Sequence, residues 1–349
     1  LILANHQHDF ESPAIVSTTT VRNGSWRHPI FTASSRRMYE PGFLADRLPW
    51  LSFLFREVNA GKMMMALGML PLENELGSRA LSSFAWNVQR RHGPLPLAEI
   101  FDERVASRFP PQSKSSDLWK RENFLLARQV VKVLSVREPY RREILDETRV
   151  NMENDLARLE DVVRRGATFY LNPEGRYSID GRIGAMRGAV DRLAPLATIY
   201  LFGVSYDPFV SKRLSMLYRV EPLNGAPMMS KLAAIRPIVT SQLLGAWLAG
   251  NERWFTEEEA SSAVSARIAA LPPQLFVDPE LRRNPQRMVR KALPLMVQWQ
   301  ILERNGARYR LSPERRHPQF PFVRDIVSYQ AVFLQETLEN AAYGVRLAT

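Results

Sequence analysis

The chain has 349 residues, 45% hydrophobic and 24% charged, the composition of a folded globular protein, and its length suggests roughly two domains at ~150 residues each. It contains no cysteine, which excludes disulfides, thiolate metal sites and cysteine nucleophiles together. Its formal net charge of +11 suits an anionic partner (nucleic acid, a phosphorylated substrate, an acyl carrier or an anionic membrane face) and selects none of them.

In chain order, the apolar run from Leu1 to Ala4 reads as a strand ending in a polar loop. The first residue is Leu1 and already reads as strand, so the chain is expected to be cut from something longer. "SPAIVSTTTVRN" (Ser12–Asn23) reads as a helix or helix plus turn, and "HPIFTASSR" (His28–Arg36) as a second strand. Phe43 to Leu72 is unusually apolar. Leu44, Leu48, Leu51, Phe55 and Val58 make one helical face, Met63–Leu72 reads as a strand, and Met63–Met65, Trp50 and Phe53 read as core. No window reaches about 18 apolar residues free of charge, so no membrane-spanning helix is expected.

"SRALSSFAWNVQRR" (Ser78–Arg91) reads as an amphipathic helix capped by Ser78. Residues 93–120, broken by prolines, read as a surface excursion. Helical periodicity then returns from Asp117 to Arg165, with Gly166 as its C-terminal cap. A strand (Ala167 onward), a helix (Ile183–Pro195) and a buried strand (Leu196–Pro208) follow, a βαβ unit that favours an α/β core with parallel strands. Beyond Gly225 helical stretches dominate, placing a boundary near 222–252. Asn284–Gly306 reads as one helix ending at Gly306, and "ARYRLSPER" as a short hairpin: the pattern of a winged helix.

Two motifs bear on chemistry. "NHQHDFE" (Asn5–Glu11) sets His6 five positions before a carboxylate. "FYLNPEGRYS" (Phe169–Ser178) runs an apolar strand into Pro-Glu-Gly-Arg, before a helix expected to begin among Gly181, Gly184 and Gly188, where backbone N–H groups favour an anion. An imidazole can act as a base near neutral pH, and a neighbouring carboxylate can fix its tautomer.

Together these motifs resemble the paired motifs of the glycerolipid acyltransferase family, the glycerol-3-phosphate and lysophosphatidic acid acyltransferases, over roughly residues 1–220. "MRGAV" (Met186–Val190) and the apolar strand after Pro195 extend the likeness. The resemblance implies an α/β core, a mixed sheet wrapped by helices, over 1–225, with a helical insertion at about 93–150. A helical C-terminal domain, winged-helix in pattern, would occupy 226–349. It implies His6 as general base oriented by Glu11, and Glu174, Gly175, Arg176 and Arg187 as substrate-binding residues. The Gly175 amide would be an oxyanion donor, and Arg176 or Arg187 a phosphate clamp. No metal and no cofactor are implied beyond acyl-CoA or acyl carrier protein as co-substrate. The acceptor would be a glycerol phosphate or lysolipid, and the place a peripheral one on the cytoplasmic face of an anionic membrane, without nucleic acid.

This sequence departs from the family in three places. Glu11 stands for the usual Asp, Arg176 and Tyr177 stand where the family has Thr and Arg, and Glu73 falls near the family's phosphate-gripping arginine. A carboxylate there repels phosphate unless Arg79, Arg176 or Arg187 compensates. The alternatives are a basic winged-helix protein that binds nucleic acid and a catalytically degenerate scaffold of the same fold.

Overall fold

A computed structural model describes residues 1–8, 11, 12, 14, 15, 17, 30–40, 58–73 and 77–348. The chain forms two compact units, one of Leu1–Ser25 with Tyr170–Thr349, the other of Trp26–Phe169. The first unit opens on β1 (Ile2–Ala4), and the chain then leaves it for the whole of the second.

In the second unit, β2 (Ile30–Ser35) pairs in parallel with a strand reached through α1 (Gly61–Ala66). That strand, β3 (Met69–Leu72), is shorter than expected, because Met63–Ala66 is helical and Gly68, at φ 76°, turns the chain between the two elements. Of the three methionines, Met64 is buried while Met63 and Met65 are 51% and 44% exposed, so only one is core. Leu44, Leu48, Leu51 and Phe55 of the expected helical face, with Trp50 and Phe53, lie outside the described residues; Val58, the last of that face, is not helical and is 40% exposed.

Ser78 is not a cap: β4 (Ser78–Ala80) pairs antiparallel with a later strand, and α2 (Leu81–His92) starts without a side-chain cap. Nor is 93–120 a surface excursion. The prolines cut it into single helical turns whose Leu97, Ile100, Phe101, Val105 and Leu118 pack into one core with Phe84 and Val88 of α2. The partner strand of β4 is β5 (Val130–Lys132). The long helix α3 (Tyr140–Arg164) starts later than its periodicity suggested and stops at Gly166. Gly166 sits at φ 81° and donates to Val163 O at 2.9 Å, as expected of a helix-ending glycine.

The chain re-enters the first unit along β6 (Thr168–Leu171), continues through α4 (Gly188–Leu193), and reaches β7 (Tyr200–Tyr206) and β8 (Met216–Pro222). Tyr170 and Leu171 pair in parallel with Ile2 and Leu3, and Ile2–Ala4 pair in parallel with Tyr200–Phe202. The expected βαβ unit is therefore present, with β1 between its two strands. An edge strand, β8, is antiparallel to β7. This makes a mixed α/β architecture. Strand β1 is buried along its length, which is why its sequence is apolar throughout rather than alternating.

The remainder is α5 (Met228–Ala234), α6 (Thr240–Leu248), β9 (Phe255–Thr256), α7 (Glu257–Ala269), α8 (Pro279–Arg283), α9 (Pro285–Gln298), the hairpin β10 (Leu302–Asn305) and β11 (Arg308–Leu311), and α10 (Ile326–Ala348). The helix expected to reach Gly306 ends at Gln298. Gln300 takes φ 61°, and Leu302–Asn305 pairs as a strand with Arg308–Leu311, so Gly306 turns a hairpin. Strand β11 also pairs with β9. The units do not divide at 225, because the later helices are built onto the earlier sheet. A side chain at Gly203 of β7 would meet Ile235 at 2.8 Å, and one at Gly245 of α6 would meet Gln330 of α10 at 2.9 Å.

Asp207, just after β7, ties sheet to helix: its carboxylate accepts Thr240 N at 2.9 Å and Ser241 N at 3.2 Å at the start of α6. Burial pushes this carboxyl up to about 6, against the hydrogen bonds that favour its charge. A raised folded-state value means the contribution to stability is fully present below pH 3.8 and is lost as pH rises through about 6. Comparing Asp207→Asn with the wild type by denaturant unfolding at pH 4 and pH 7 isolates this group. The wild-type-minus-variant stability should fall by about 2–3 kcal/mol between the two. A difference that stays constant with pH refutes the linkage.

Candidate functional site

The first motif closes on itself. Beyond β1 the chain turns through Asn5–His8 and resumes as helical backbone at Glu11 and Ser12. Asn5 anchors the turn to β7 by a reciprocal amide pair, with Val204 N donating to Oδ1 at 2.7 Å and Nδ2 donating to Val204 O at 3.0 Å. Glu11, 0% exposed, is the hub. Its Oε1 accepts Gln7 N at 2.6 Å and His8 N at 3.0 Å, and its Oε2 meets His6 Nδ1 at 2.8 Å. Burial pushes the Glu11 carboxyl above its ordinary range, and the His6 and backbone hydrogen bonds pull it back. The Gln7 and His8 N–H groups already donating to this carboxylate favour its ionised form, an acceptor toward His6. The proton of His6 therefore sits on Nδ1, and Nε2 keeps a lone pair.

The second motif braces the first from β6. Asn172 Nδ2 donates to Ala4 O at 3.0 Å, and Ser178 N donates to His6 O at 2.9 Å. Glu174, 2% exposed, accepts His6 N at 2.9 Å on Oε1 and Gly184 N at 2.8 Å on Oε2. Burial raises its carboxyl, offset by these backbone donors and by the charge of Arg236. Both oxygens of Glu174 point into the fold, so the substrate contact expected of it is replaced by a structural one. Gly175 also differs from expectation. Its N–H donates to Asn172 O at 3.1 Å in a turn, at φ 63°, and is not directed at an incoming oxyanion.

Arg176 and Arg187 are both exposed. The Nε of Arg187 donates to Glu174 O at 3.1 Å, which lays its stem along the Pro-Glu-Gly turn and leaves the guanidinium at the surface. The segment Ile183–Arg187, expected to be helical, is extended loop. The amides of Ile183 and Gly184 are taken by carboxylates, so the helix starts only at Gly188.

Sequence reasoning missed the aromatic wall. The Tyr177 ring lies 4.2 Å from the His6 ring, and Phe322 stacks on Tyr177 at 5.2 Å with an interplanar angle of 10°. Phe322 is 59% exposed, and nothing in its local sequence announces a partner more than a hundred residues earlier. His8 rests against Tyr206 and Phe320, at 5.7 and 6.0 Å between ring centres, in keeping with an ordinary loop residue. Asp9 lies outside the described residues. Among the described residues no cluster of histidine, aspartate and glutamate has the arrangement of a metal site.

In the second unit, Glu73 is buried and pairs with Arg79 at 2.8 Å, while its N–H donates to Asp155 at 3.1 Å. The carboxylate expected to repel a phosphate is thus charge-balanced by an arginine named beforehand. No protein-family profile matches the chain, and no curated protein matches it significantly.

Proposed function

We propose that the protein is an O-acyltransferase of the glycerolipid type, moving an acyl group from a thioester of coenzyme A or acyl carrier protein to a hydroxyl of a glycerol phosphate or related lipid. The observation that carries this reading is the His6–Glu11 pair at 2.8 Å, at the end of a buried parallel strand and held by the Pro-Glu-Gly loop. The His6 Nε2 lone pair takes the acceptor's proton as its oxygen attacks the thioester carbon. Collapse of the tetrahedral adduct expels the thiolate, which recovers that proton from the imidazolium. Glu11 holds the tautomer and balances the charge while the imidazolium exists. Exposed Arg176 and Arg187 are suited to an anionic group on either substrate. No helix among the described residues is long and apolar enough to cross a membrane. The net charge of +11 favours peripheral attachment to an anionic face.

The nucleic-acid reading has some support in the hairpin β10–β11 beside α9, a winged-helix-like order. Arg290, Lys291 and Arg310 of that region face Glu257, Glu280 and Glu303 at 2.7–2.9 Å, which lowers the charge on offer to a phosphate backbone.

One experiment addresses donor, acceptor and surface together. Thioester consumption is followed with glycerol 3-phosphate, lysophosphatidic acid and neutral lipid alcohols, the lipids presented in anionic or neutral vesicles at low and high salt. Acyl transfer to a phosphorylated acceptor, faster on anionic vesicles and weakened by salt, is the expected result. Preference for neutral alcohols removes the phosphate acceptor, and no transfer from any thioester removes the enzyme.

A further inference from the structure

An ion pair late in the chain is wired into the loop that braces His6. Arg236, between α5 and α6, is 1% exposed, and its guanidinium meets Glu336 of α10 at 2.9 Å. It also donates to Ala233 O, Thr337 Oγ1 and Phe333 O at 3.1 Å each, and lies 3.8 Å from the centre of the Phe333 ring. Glu336 in turn accepts the backbone N–H of Ile183, at 2.9 Å on Oε2 and 3.2 Å on Oε1. The next amide, Gly184, donates to Glu174 Oε2 at 2.8 Å, and Glu174 Oε1 accepts the His6 N–H at 2.9 Å. The same loop is seated on α10 at a second point. Gly181 stands at φ 92°, and a side chain there would run into Tyr329 O and lie 3.0 Å from Phe333 N.

We infer that Arg236 and Glu336 are positioning residues for His6. Arg236 fixes the Glu336 carboxylate, Glu336 fixes Ile183, and the adjacent Gly184 fixes Glu174 against the His6 backbone. Burial of an ion pair is costly, and apolar groups of similar volume commonly serve stability as well or better. What such groups cannot supply is an acceptor for the Ile183 N–H. The inference rests on the proposed role of His6 for its kinetic arm and on geometry alone for its structural arm.

The test compares the wild type, Glu336→Gln, and the double variant Arg236→Met with Glu336→Leu, which removes both charges and the acceptor while keeping volume. Amide exchange at Ile183 and Gly184 and steady-state kinetics are measured on each folded protein. The double variant should exchange at least ~10-fold faster at both amides and lose about 10–100-fold in kcat, the scale of a misplaced catalytic group. Its KM should change by less than about twofold. Glu336→Gln, which keeps an oxygen acceptor, should restore most of kcat and slow exchange. If the double variant does not fold, Glu336→Asp, whose carboxylate is withdrawn from Ile183, takes its place with the same readouts. Wild-type exchange and kcat in the double variant, or in Glu336→Asp where that replaces it, overturn the inference. Exchange that accelerates in a protein whose wild type transfers no acyl group upholds the wiring and defeats the reading of His6 as base.

Discussion

His6→Ala should lower acyl-transfer turnover by at least ~10²-fold, the usual scale for removing a general base. The imidazole is partly accessible, with 17% of its side chain exposed, so its loss opens no sealed cavity. The main-chain bonds of residue 6, its N–H to Glu174 and its carbonyl from Ser178, do not depend on the side chain and should survive. The variant should therefore unfold cooperatively near the wild-type temperature while its rate collapses. A well-folded His6→Ala protein that turns over at near the wild-type rate sinks the mechanism. The measurement needs single-turnover as well as steady-state rates, because slow product release can hide a loss in the chemical step.

Glu11→Ala is expected to damage both activity and stability, and Glu11→Gln to separate them. The alanine variant leaves three donors without their acceptor: the Gln7 and His8 amides and the His6 Nδ1–H. Each buried donor left unsatisfied costs about 1–3 kcal/mol, so a loss of at least ~2 kcal/mol should appear in denaturant unfolding. Turnover should fall with it, since the imidazole is free to take the wrong tautomer. Glutamine keeps one oxygen for the backbone donors and preserves most of the stability, but it loses the negative charge that balances the imidazolium and turns an N–H donor toward His6 Nδ1, which disfavours the working tautomer. It should retain the fold and run slower than wild type, though faster than His6→Ala. Glutamine with wild-type turnover shows that the charge of Glu11 contributes nothing to the reaction. Alanine with wild-type stability shows that the donors find other acceptors.

Much of the first unit was legible because local pattern and tertiary role agree there. "LILA" read as a strand, and the order of strand, helix and strand after Gly166 favoured parallel neighbours. The spacing of five between His6 and Glu11 was by itself a weak signal, and their pairing was expected only from the resemblance of the two motifs taken together. The misreadings occur where local pattern is ambiguous. Met63–Leu72 is apolar enough for either helix or strand, and a positive φ at Gly68 divides it. The proline-broken stretch at 93–120 resembled a surface loop, yet its apolar residues recur often enough to fill a core once α2 offers a face. The helix expected to reach Gly306 lost its end to a hairpin, whose partner strand and β9 outcompeted further helical turns.

The sequence by itself determined the components: a basic chain without cysteine, an α/β segment order, a histidine with a nearby carboxylate, and a Pro-Glu-Gly turn after a strand. All of these depend on residue type and short spacing, where chain connectivity already sets geometry. Tertiary structure decided what each component touches. It turned Glu174 and the Gly175 amide inward, placed Tyr177 and Phe322 beside His6, and joined Arg236 and Glu336 to a loop about 150 residues from Glu336. A carboxylate bonds as well to a backbone amide as to a ligand, and a buried ion pair depends on two positions whose separation in sequence carries no signal. Only the packing of α10 against the loop made those partners neighbours, because desolvated polar groups must find one another wherever the fold brings them together.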